Sequence, residues 1–142
     1  MADFQFWRRI LLLVSVFTIL SGILMAFFNE TALFRIFDDQ VNTVFFAHEV
    51  IPESVREYHR WNYGVIGAAM GSWGVFFWFL VYYPFAKKER WAWNCMTAAI
   101  LFWFCIDAPV SFYYRVTVNG LFDIFMFVSM MVPLLAIKKH FA

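Results

Sequence analysis

At 142 residues, 63% hydrophobic and 15% charged, with a mean hydropathy of +0.68, the chain carries more apolar surface than one water-soluble domain of this length can bury. That composition excludes an ordinary soluble globular domain and points to a lipid bilayer as the solvent. The net charge of +1 offers no basic surplus for nucleic acid, so none is expected as a partner.

The first uncharged run, residues 10–28, follows Arg8 and Arg9. It has the order of a signal peptide, but the apolar stretch is too long and no small-x-small cleavage site follows, so it reads as an uncleaved first span. Asn29-Glu30-Thr31 then matches a glycosylation sequon close to the membrane.

The long connection after it is not read as structureless. Leu33, Ile36, Phe37, Val41, Val44 and Phe45 recur at helical spacing, with Arg35, Asp38, Asp39 and Asn42 on the opposite side. That pattern predicts an amphipathic helix lying at the membrane interface or across the end of a bundle. His48 and Glu49 follow, placed to fold over that end. Pro52 can open the next helix, with Glu53, Arg56, Glu57 and Arg60 in its first turns, and this helix is expected to continue into the second span.

The second span covers residues 64–86 and contains Gly64, Gly67, Gly71 and Gly74. Gly67-x-x-x-Gly71 is a spacing that lets membrane helices approach closely. Steps of four back from Gly71 reach Gly67, Tyr63 and His59, so His59 is expected to face the bundle. The third span, 91–113, carries Cys95, Cys105, Asp107 and Pro109. The cysteines lie ten residues apart, roughly 15 Å along one helix and too far for a disulfide. The fourth span, 118–137, carries Asp123 and Pro133. Each run is long enough to cross about 30 Å of hydrocarbon. The expected fold is all-α: a single-domain four-helix transmembrane bundle with one amphipathic interfacial helix in the first outer loop.

Basic residues set the expected orientation. Arg8, Arg9, Lys87, Lys88, Arg90, Lys138 and Lys139 fall on one side of the four spans, seven of the eleven Lys and Arg. The positive-inside rule then puts both termini in the cytoplasm, in a plasma or cytoplasmic membrane. All six tyrosines lie at span boundaries, the depth amphipathic rings prefer.

Asp107 and Asp123 are the ionisable residues inside the spans. Helix rise places Asp107 roughly 6 Å and Asp123 roughly 7 Å below the outer face, so a tight turn brings them to similar depth. An isolated charge costs about 2.5–3.5 kcal/mol at mid-span and less near the interface, so such residues face an interior or a wet cavity. Asn119, Ser111, Arg115, His59, Arg60, Asn62 and Tyr63 can gather around them. The same residues support two readings. One is a structural network in which Arg115 or Arg60 neutralises an aspartate. The other is an outward-facing pocket with a coupled carboxyl pair. His59, Asp107 and Asp123 have the ligand types for a divalent ion, but no local spacing supports a metal site. No catalytic signature or cofactor motif is present.

The leading expectation is a pocket for a small amphiphilic or lipid-like ligand, its head at Asp107, Asp123, Asn119 and the His59–Arg60 end. Its tail would lie among Phe, Trp and Met side chains. A non-catalytic accessory subunit that docks a partner helix on the glycine face is the second. The third is proton- or cation-coupled transport by a homo-oligomer.

Overall fold

A computed structural model describes residues 2–47 and 51–141. Among these residues the chain forms α1 (Ala2–Phe27), α2 (Ala32–Phe46), α3 (Glu53–Tyr82), α4 (Arg90–Tyr113) and α5 (Thr117–Ile137), and a last 3-10 turn at Lys138–His140. No strand occurs among them. Helices α1, α3, α4 and α5 are long and apolar enough to cross a membrane. His48 and Glu49 lie outside the described residues.

Two helix limits differ by more than one residue from those expected. Helix α1 begins at Ala2, eight residues before the uncharged run, because charge limits a span by hydropathy but does not stop a helix. Arg8 and Arg9 sit inside it. The Arg8 guanidinium donates to the carbonyls of Val81 at 2.9 Å and Tyr82 at 2.7 Å. These are the last residues of α3, whose final carbonyls have no partner within their own helix. Helix α3 itself stops at Tyr82 rather than Ala86. Pro84 cannot donate a backbone hydrogen bond, and the chain turns there with Lys88 in the left-handed region at φ 57°. The run of α3 from Glu53 through the glycines is unbroken.

Helices α1 and α3 pack backbone to backbone. A β-carbon at Gly22 would collide with the backbone of Gly71, and one at Gly67 would lie 2.6 Å from the Ala26 nitrogen. One at Gly74 would lie 2.7 Å from Ile19. Small residues permit this approach, which gains dispersion contacts along both helices. The glycine face of α3 is therefore filled by α1, and it is not a free surface for a partner helix.

Helices α4 and α5 form the other tight pair. The turn between them puts Arg115 at φ 60°, and the Val116 N–H donates to the Ser111 carbonyl at 2.9 Å. Pro109 and Pro133 lie inside continuous helices. The two pairs join most closely at the end that carries the termini. There Phe4, Leu11, Val81, Phe85, Ile137 and Phe141 are buried together, and Phe85 meets Phe141 edge-on at 4.9 Å.

Toward the other end the pairs diverge. Helix α2 lies across this gap, fastened on both sides. Tyr63 Oη on α3 donates to Asp38 Oδ1 at 2.8 Å. Gln40 Nε2 donates to Thr117 Oγ1 at 2.6 Å, and Gln40 Oε1 accepts the Val118 N–H at 2.7 Å. Large apolar side chains elsewhere point outward, including Phe76, Phe102 and Leu121.

Candidate functional site

The diverging helix pairs enclose a cavity of about 520 Å³. Its α3 wall is Ile66, Ala69, Met70, Trp73 and Phe77, and its α5 wall is Asn119, Phe122, Asp123, Met126 and Met130. Both series repeat every three to four residues, so each is one helix face. Helix α4 adds Ile100, Trp103 and Asp107, and α1 adds Phe17, Thr18, Ser21, Leu24 and Met25. Phe34 and Phe37 of α2 cover the near end. Ile66 and Trp73 on this wall are exposed, so the cavity is not sealed from its surroundings.

The polar groups collect at one end. Asp123 is 1% exposed. Its Oδ2 accepts from Ser111 Oγ and Asn119 Nδ2, both at 3.4 Å, and Asn119 Nδ2 also donates to Ser111 Oγ at 2.8 Å. Those two donors are long for their type, and Asp123 Oδ1 has no hydrogen bond among the described residues. Asp107 is half-buried, and its Oδ2 accepts from the Trp103 indole at 2.9 Å. Neither carboxyl joins an ion pair among the described residues. The hydroxyl of Thr18 is turned back to the Val14 carbonyl at 2.9 Å, which leaves the α1 wall largely apolar.

The structure brings together part of the expected set. Asp107, Asn119 and Asp123 line the cavity, and Ser111 is buried directly behind them. The remaining residues lie elsewhere. His59 is half-buried beside the rings of Phe46 and Tyr58, and Tyr63 is engaged by Asp38. The reason is geometric: along one face of α3, Gly67 packs on α1 while His59 and Tyr63, nearer the helix start, meet Phe46, Phe34 and Asp38 of α2, and the cavity lies on the adjacent face through Ile66, Met70 and Trp73. Arg60 pairs with Glu30 at 2.5 Å and with Glu53 at 3.7 Å. Arg115 is exposed at the α4–α5 turn, and Asn62 is half-buried outside the cavity wall.

Neither arginine neutralises an aspartate, so the ion-paired version of the structural network does not form. No group of three His, Cys, Asp or Glu is gathered for a metal among the described residues. Cys95 and Cys105 are free and exposed. Asn29 Nδ2, the sequon nitrogen, donates to the Met25 carbonyl at 3.1 Å.

Sequence reasoning missed the Trp103 hydrogen bond and the α1 wall. Trp103 stands four residues before Asp107, a spacing that places both on one helix face, so that pair had a local signal. The contribution of Thr18 and Ser21 had none, because it depends on how α1 docks. Compared with known proteins, the chain matches no family model, no curated protein and no solved structure. The functional reading therefore rests on the site itself.

Proposed function

We propose that this chain is a multi-pass membrane protein whose cavity opens toward the outer side and binds a small amphiphilic or lipid-like ligand. The observation that carries the reading is the division of the cavity wall. Asp107, Asn119 and Asp123 sit at one end, and the rest is almost wholly Phe, Trp, Met and aliphatic surface. A wall of that kind matches a ligand with one polar head and one apolar body, and its volume lies within the usual range for small-molecule sites, roughly 300–1,000 Å³.

The orientation follows from charge. Lys87, Lys88, Arg90, Lys138 and Lys139 share the end that carries both termini, which the positive-inside rule assigns to the cytoplasm of a plasma or cytoplasmic membrane. The carboxyl end of the cavity then lies near the outer surface. Helix α2 would rest at the outer interface, with Phe34 and Phe37 toward the cavity and Arg35 and Asp39 toward water.

Native mass spectrometry of protein purified in mild detergent, after incubation with a lipid extract of its host membrane, tests the proposal. Wild type is expected to carry a reproducible extra mass that Ala69→Trp, which fills the α3 wall, does not retain. An unliganded wild-type spectrum, or an adduct unaffected by the filled wall, would count against the pocket.

A further inference from the structure

We infer that the cavity selects amphiphiles with a cationic head group, a long-chain amine or ammonium, over neutral or anionic ones. This rests on the reading of the cavity as a ligand pocket and adds the charge class of its occupant.

Three observations converge on it. The cavity is lined by two carboxyl groups and, among the described residues, by no Lys, Arg or His. The nearest candidates for neutralising them are committed or distant: Arg60 is held by Glu30 and Glu53, and Arg115 is exposed outside the cavity wall. Asp123, although 1% exposed, keeps Oδ1 without a hydrogen-bond partner among the described residues, and both donors to Oδ2 stand at 3.4 Å. A buried acid with spare acceptor capacity can accept from a further donor.

A protonated amine supplies that donor and an opposite charge together. Charge-assisted bonds of this type are shorter and stronger than neutral ones, and the low dielectric of an apolar cavity magnifies the attraction. An anionic head would instead add negative charge beside two acids, with no cation to receive it. The aromatic lining points the same way. Trp73 and Trp103 meet edge-to-face at 6.3 Å beside the carboxyl end, and indole faces attract cations. A neutral alcohol could donate one hydrogen bond but gains neither charge contribution.

The test holds the tail constant and changes the head. Radiolabelled dodecylamine, dodecanol and dodecyl phosphate are titrated against the full chain in nanodiscs of zwitterionic lipid, with empty nanodiscs subtracted. Dodecylamine is expected to bind saturably and about tenfold or more tighter than either competitor. The double substitution Asp107→Asn with Asp123→Asn should remove that preference, so that dodecylamine and dodecanol bind within about twofold of each other. If the double variant fails to fold, Asp107→Asn alone carries the same comparison, since that residue is only half-buried. Equal affinity for the three heads, or an amine preference that survives the substitution, overturns the charge inference while leaving the pocket intact. Saturable binding of none of them overturns the pocket reading, and the inference with it.

Discussion

The indole of Trp103 donates to Asp107 Oδ2 at 2.9 Å across one turn of α4. It gives a carboxyl on an apolar wall its hydrogen bond among the described residues, and it fixes the ring at the carboxyl end of the cavity. Trp103→Phe keeps an aromatic ring, smaller by the pyrrole part, and removes the donor, so Trp73→Phe is the control for the lost ring volume. The expected cost is about 1 kcal/mol, the scale of side-chain hydrogen bonds inside membrane proteins, measured by unfolding in mixed micelles. Trp73 has no such bond, so Trp73→Phe should cost less. Equal effects would place the contribution of Trp103 in packing instead.

Close backbone approach makes a contrasting prediction for two glycines. Gly22→Ala must push α1 away from Gly71, where no flexible side chain can give way, and overpacking of this kind costs about 1–3 kcal/mol. Gly64→Ala meets only the Ala26 carbonyl at 4.0 Å. It should be neutral or stabilise by up to about 1 kcal/mol through helix propensity. Thermal denaturation of both variants in one detergent makes the comparison, and a reversal of the order would refute the packing assigned to α1 and α3.

Gln40 ties α2 to the first turn of α5, accepting the Val118 N–H and donating to Thr117. The amides of a helix's first turn have no partner within the helix, and loss of a side-chain cap there typically costs about 0.5–2 kcal/mol. Gln40→Ala should speed hydrogen exchange at Val118 and along α2, and leave the buried terminal end near Leu11 and Phe85 unchanged. Unaltered exchange at Val118 would mean that α2 is held by its apolar contacts alone.

The proposed orientation predicts which sites a membrane-impermeant thiol reagent reaches in intact cells. With Cys95 and Cys105 replaced by serine, Thr31→Cys should be labelled from outside. Lys88→Cys should react only after permeabilisation, because it lies in the turn at the end that carries the termini. The reverse pattern would invert the topology and put the carboxyl end of the cavity on the cytoplasmic side.

The sequence alone determined that there are four long apolar helices, though not their exact limits, because a helix satisfies its own backbone hydrogen bonds and an apolar run excludes charge, and both features are local. Residues 10–28 and 118–137 could be read as apolar stretches, and the spacing from Ile36 to Phe45 as one amphipathic turn after another. The meeting of Asp107 with Asn119 and Asp123 at one cavity was legible for the same reason: a tight turn between antiparallel helices sets their relative depth. The rest was decided by tertiary structure. Whether the face of His59 and Tyr63 or the face of Ile66 and Trp73 looks onto the cavity depends on the rotation of α3. That rotation is set by the fit of Gly67 and Gly74 against Gly22, Ala26 and Ile19 of a helix some fifty residues away. A glycine stripe announces that something packs closely, but only the docked helix says what, and that choice turned His59 away from the site and brought Trp73 into it.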